Sequence, residues 1–170
     1  MRRPGRRGLN VALGALAVVL AAACVFGAVL VTQERSDRRH AEAEQERYGD
    51  VLAAARQEVE AFVNIDYRKA QESVDAVAAG ATGEFAEQYD SSAQEVLKIL
   101  TRAKSVMDGK VLWAGVVDTD HDSASVIVAT TGTVANASTD NKPVARQFRL
   151  KVDLVLEDGD WLTNNVEFVQ

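Results

Sequence analysis

The chain has 170 residues, 47% of them hydrophobic and 26% charged, the size and balance of one folded domain. Four arginines and no acid fall in the first 31 residues, leaving the other 15 bases and all 25 acids to the rest, a remainder of −10. That acidic remainder excludes a nucleic-acid binder, the single Cys24 excludes a disulfide framework, and two isolated histidines exclude a His-based metal site or triad.

Residues 1–8 form a short basic tail carrying Arg2, Arg3, Arg6 and Arg7. From Leu9 to Val31 no ionisable side chain occurs, and a helix of that length is about 34 Å, enough for a hydrocarbon core of about 30 Å. Residues 9–31 therefore read as a transmembrane helix. The crowded arginines keep the tail cytoplasmic and place the C-terminal domain outside, an inner-membrane protein with one span. The same residues also admit a signal peptide cut near Ala21-Ala22-Ala23, or a lipoprotein acylated at Cys24. Against both stands the apolar run Val25, Phe26, Val29, Leu30 and Val31, which would open the mature chain.

Residues 32–62 are rich in Ala, Glu, Gln and Arg and read as a continuous extracytoplasmic helix or stalk. Its second half carries Tyr48, Leu52, Ala55, Val59 and Phe62 at steps of four and three, an apolar stripe that faces either the domain's own sheet or a partner helix.

Residues 63–170 read as an α+β outer domain. Asn64 or Asp66 is placed to cap a short second helix with Ala70, Val74 and Val77 on one face. Thr82 caps a third helix, Glu84 to Met107, whose apolar face is Phe85, Tyr89, Ala93, Val96, Leu100, Ala103 and Met107. Glu84, Glu87 and Asp90 near its start and Lys98, Arg102 and Lys104 near its end complement the helix dipole, and Asp108-Gly109 closes it.

After Gly109 β-branched and aromatic residues take over. Four strands follow: Lys110 to Val117, Ser123 to Val134, Val144 to Leu156 and Trp161 to Val169, the last with Leu162, Val166 and Phe168 on one face. In the third, Phe148, Leu150, Val152, Leu154 and Leu156 alternate with Arg149, Lys151 and Asp153, so one face is buried and the other wet. Helices followed by strands with short turns predict helices packed on one face of a curved four-stranded antiparallel sheet.

Groups for chemistry do not converge. His40 lies in the charged helix and His121 in an acidic turn with Asp118, Asp120 and Asp122, which lacks the spacing, Gly and terminal Glu of a calcium loop. No Gly-rich loop opens a helix after a strand, and the sequon Asn136-Ala137-Ser138 matters only in a eukaryotic secretory route. Tyr67 and Tyr89 are the polar groups best placed near a pocket inside a cone-shaped sheet, or else amphipathic core aromatics. The chain is expected to be non-enzymatic and to need no cofactor or metal.

The order of parts, with Asn64-Ile65-Asp66-Tyr67, then Thr82-Gly83-Glu84-Phe85 and Tyr89, then Asp158-Gly159-Asp160-Trp161-Leu162, resembles the Mce-associated membrane proteins of actinobacteria. The resemblance covers nearly the whole chain, with Thr-Gly-x-Phe-x-x-x-Tyr its most specific motif. It implies a cone-shaped domain similar to nuclear transport factor two. It also implies an accessory or scaffold subunit that supports an Mce lipid importer, with importer subunits as partners and self-association compatible with the role. The motif positions Thr82, Gly83, Phe85, Tyr89 and Trp161 are equally a helix cap and core. A lipid-binding or isomerase-like pocket in the cone, or a secretion-type assembly role, are the rival expectations.

Overall fold

The structure, a computed structural model, describes residues 42–169. The basic tail, the predicted span 9–31 with Cys24, and the stretch up to residue 41 with His40 lie outside the described residues. Among the described residues no helix is long and apolar enough to cross a membrane. The domain is the compact unit Arg47–Gln170, which takes in the second half of the helix read from sequence as a stalk.

Helix α1 spans residues 42–63, and within the domain Val51, Ala55, Val59 and Val63 repeat every four residues. That spacing puts them on one face, and all four are buried against the sheet. The helix stops at Asn64, whose side-chain amide donates to the carbonyls of Glu60 and Gly109, both at 2.9 Å, while its Oδ1 accepts from Gly109 N–H. An orphan carbonyl of the last turn is thereby satisfied, and the chain is tied directly to the sheet.

Asn64–Asp66 then forms a short strand, β1, antiparallel to the next strand. The sheet accordingly has five strands where four were expected, because three residues are too short to show alternation in sequence. Asp66 does act as a cap, but of the 3₁₀ turn Tyr67–Lys69, accepting from Arg68 N–H at 2.9 Å. Helix α2, Ala70–Ala78, follows and buries Val74 and Val77.

Helix α3 runs Gly83–Ala103 and ends earlier than its apolar periodicity suggested. Lys104 takes a left-handed conformation, φ 51°, and Ser105 N–H bonds back to the Leu100 carbonyl at 3.0 Å, which stops the helix. Met107, expected on the helix face, instead lies in β2 opposite Ile65 and Val134. Asp108-Gly109 is likewise strand rather than helix stop.

Strands β2 (Val106–Thr119), β3 (Ser123–Ala135), β4 (Val144–Glu157) and β5 (Asp160–Phe168) complete an antiparallel meander in the order β1-β2-β3-β4-β5. The β4–β5 hairpin has a two-residue loop, Asp158-Gly159, with both φ values positive, the turn whose twist matches that of paired strands. Bulges at Leu112 and Val117 in β2 and at Asn164 in β5 curl the sheet. The β5 bulge corrects one expectation. Leu162 pairs with Val155 on the outer face, whereas Trp161 and Thr163 before the bulge share the inner face with Val166 after it.

The core lies between α1 and the inner face: Ala114 from β2, Ala124, Val126 and Val128 from β3, and Leu150, Val152 and Leu154 from β4. The predicted α+β architecture and the buried alternation of β4 are both present.

Candidate functional site

The apolar stripe of α1 divides once folded. Ala55 and Val59 are 0% exposed and inside the domain's own core, Leu52 packs at its margin, and only Tyr48, 41% exposed, is turned outward. Phe62 leaves that face and joins an aromatic cluster with Phe85 and Tyr89 of α3, with ring centroids 6.0–6.5 Å apart. Pairs of this geometry contribute about 0.5–1.5 kcal/mol beyond area burial. The three rings fasten α3 to α1.

The Thr82-Gly83 motif sits where the α2–α3 turn docks on β5. Gly80 carbonyl accepts from Thr163 N–H and Thr82 N–H donates to the Thr163 carbonyl, both at 2.8 Å, which makes a short parallel bridge. Thr82 occupies the N-cap position of α3, yet its hydroxyl does not cap; Oγ1 donates to Glu157 Oε2 at 2.8 Å. Gly83 begins the helix at φ +56°, a left-handed conformation that disfavours any side chain. Trp161 is half-buried against the core.

One polar group in this region escaped the sequence reading. Glu58, on the same turn of α1 as Val59, is 3% exposed, and its Oε1 has no hydrogen-bond partner among the described residues. Burial pushes its carboxyl up to about 7. Gly80 stands directly against Oε2, so a Cβ at that position would collide with the carboxylate. On α3, burial raises the Tyr89 hydroxyl above its ordinary value, and the charges of Glu58 and Asp75 push the same way. The signal was available: position 58 falls three after Ala55 and four before Phe62, a carboxyl within an otherwise apolar helical face.

Glu58 and Gly80 belong to the wall of an open cleft of about 500 Å3 between α1, the α2–α3 turn and the start of β5. A second open cleft, of about 630 Å3, lies between the start of α3, the end of β4, the start of β3 and the middle of β5. Both are surface grooves of mixed polarity. The space between α1 and the inner sheet is filled by side chains, with Val59, Val126, Val128 and Val152 fully buried.

The outer sheet face is different in character. Trp113, Ala129 and Arg149 stand in register across β2, β3 and β4, opposite in parity to the buried Val128 and Leu150. Trp113 is 56% exposed, and Leu112 and Val117, the two bulge residues of β2, are exposed beside it. Toward β5 the face turns polar. Burial tends to raise the Asp153 carboxyl, but donors from Ser125, Asn165 and Lys151, with the lysine charge, outweigh it and hold the group below its usual range.

His121, Asp118, Asp120 and Asp122 lie at the exposed β2–β3 turn, and among the described residues no three His, Cys, Asp or Glu side chains gather as metal ligands. Tyr67 is half-buried in the 3₁₀ turn, and Asn136 Oδ1 accepts from Ser138 N–H as the cap of a second 3₁₀ turn.

A family described as "uncharacterized protein Rv1363c/MT1408-like" matches residues 10–170. The chain belongs to that family. A member, the uncharacterized protein Rv1363c of Mycobacterium tuberculosis, is 35% identical over 125 residues, covering 74% of this chain and 48% of its own length. The chain thus spans about half the length of this relative. Among solved structures, an IcmL-like type IV secretion system protein of Legionella pneumophila superposes with a TM-score of 0.57 at 8% identity, covering 71% of this chain and 91% of its own. A ketosteroid isomerase-like protein of Erwinia carotovora gives 0.56 at 21% identity, with 74% and 98% covered. The VirB8 protein of Agrobacterium tumefaciens gives 0.53 at 12% identity, with 71% and 90% covered. These likenesses are of fold, the nuclear transport factor two-like arrangement of helices on a curled sheet.

Proposed function

We propose that the family member described above is a non-enzymatic accessory subunit of a membrane complex. Residues 9–31 anchor it in the inner membrane, the basic tail stays in the cytoplasm, and the domain from Arg47 stands outside as a docking module. The complex it supports or stabilises is an Mce-type lipid importer. Three things favour this reading: the uncharged stretch behind four arginines, the Mce-associated motif order, and the recurrence of this fold in components of secretion machinery.

The observation that carries it is the outer sheet face. A half-exposed tryptophan with two exposed aliphatic bulge residues beside it, on a sheet whose other face is already filled by α1, is surface available for a protein partner. Aromatic anchors flanked by arginine are the residue types that dominate protein interfaces. Co-purification of the tagged full-length chain in mild detergent is expected to recover importer subunits. Recovery of none, together with normal lipid uptake after deletion, overturns the proposal.

A further inference from the structure

The cleft beside Glu58 has chemistry that the docking role does not use. Its wall contains three carboxyls, Asp50 and Glu58 from α1 and Asp160 from β5, and no Lys, Arg or His. Trp161 supplies an aromatic surface and Gln57 a neutral polar group. Glu58 differs from the other two acids, which are exposed, because it is over nine-tenths buried with one oxygen unpartnered. An unpaired buried carboxyl carries a desolvation penalty that hydrophobic packing does not repay. Gly80 packs against the other oxygen, and a methyl group there would collide with it.

We propose that this cleft binds a primary alkylammonium group, seated on Glu58 with its alkyl stem on Trp161, while Asp50 and Asp160 elsewhere on the wall draw cations into the cleft. A cation restores the partner that Glu58 lacks, and a carboxyl in a low-dielectric wall pairs with an ammonium far more strongly than with a neutral donor. The other charged groups on the wall are both acidic, Asp50 on the same helix and Asp160 on β5. Cation–aromatic attraction at Trp161 adds to their pull. The ammonium can belong to a free amine or to a lysine side chain of a polypeptide. The proposal is independent of which complex the domain serves.

The test uses the full-length chain in mild detergent, with its glutamates labelled at the carboxyl carbon, and follows the Glu58 titration midpoint by NMR. Addition of n-butylammonium or of Nα-acetyl-lysinamide is expected to lower that midpoint by about one unit, a tenfold preference for the ionised form. Equal molarity of n-butanol should leave it in place. Tighter binding of acetyl-lysinamide supports a lysine as the natural ligand, and tighter binding of butylammonium supports a free amine. Calorimetry should show Glu58→Gln losing at least tenfold in affinity. Asp160→Asn, a surface change that keeps Glu58 as reporter, should lose severalfold. A midpoint unmoved by both amines, or moved equally by butanol, or a Glu58→Gln protein that binds amines as the native chain does, overturns the proposal.

Discussion

The indole ring of Trp113 lies over the backbone of Gly115 in the same strand, so close that a Cβ on residue 115 would stand 2.5 Å from the ring. The glycine therefore sets where the tryptophan rests on the outer sheet face. Gly115→Ala is expected to lift the ring further into water and shift its fluorescence to the red, with Trp161→Phe as background to isolate the signal. The melting temperature should change little, because Trp113 is an exposed side chain that can move without disturbing the core.

Trp113→Ala separates docking from folding. Thermal unfolding should stay within about 1 kcal/mol of the native chain, since surface substitutions seldom exceed that. Capture of partner subunits should fall at least tenfold, the scale of loss when an aromatic anchor is removed from an interface. A large fall in stability instead would place the ring in the fold rather than the interface.

Glu58 makes stability depend on pH with a definite sign. Its folded value, about 7, lies above the ordinary 4.5, so between these values the folded chain holds a proton that the unfolded chain has lost. Stability should then fall as pH rises from about 4.5 to about 7 and level off above, a total of about 3 kcal/mol for this group. Glu58→Gln removes that slope. Urea unfolding at pH 5 and pH 8 should show the variant gaining on the native chain at the higher pH.

Asp153 works in the opposite direction. Its carboxyl is held below the usual range by Ser125, Asn165 and Lys151, so its contribution is present above its unfolded value and lost as pH falls through the folded one. Asp153→Asn should be less stable than the native chain at neutral pH, with the gap closing in acid. Denaturation followed at pH 7 and pH 3 reads both.

Gly109 and Gly132 face each other across β2 and β3. A Cβ at Gly132 would collide with the backbone carbonyl of Asp108, and one at Gly109 would meet the Val63 side chain at 2.7 Å. The pair lets the end of α1 sit tight on the sheet. Gly132→Ala, pressed against backbone that cannot rotate away, should destabilise by about 1–3 kcal/mol or more, the range for overpacking. Chemical denaturation checks it.

How much of this was legible in the sequence follows from what each element needs. The α1 stripe read at steps of four and three shares only Ala55 and Val59 with the buried face, which repeats every four residues from Val51 to Val63. The alternation in β4 reports burial directly, because one periodicity holds along the whole strand. The β5 faces did not, since a single bulge residue, Asn164, reverses parity in mid-strand. Helix α3 overran in the reading because Met107 falls four residues after Ala103, while the left-handed turn at Lys104 leaves no compositional mark without a glycine. Among site residues, the motif positions were found but the Thr82 hydroxyl was assigned to a cap it does not make. Glu58 and Trp113 were passed over, one because a charged residue reads as solvated, the other because exposure of an aromatic depends on two bulges.

The docking role is tested most directly by placing a photo-reactive amino acid at position 113 of the full-length chain in its native membrane, with position 88 on the exposed side of α3 as control. Irradiation should cross-link position 113, and not position 88, to subunits of the import complex. No cross-link from position 113 to any of those subunits, at native abundance of the chain, contradicts it.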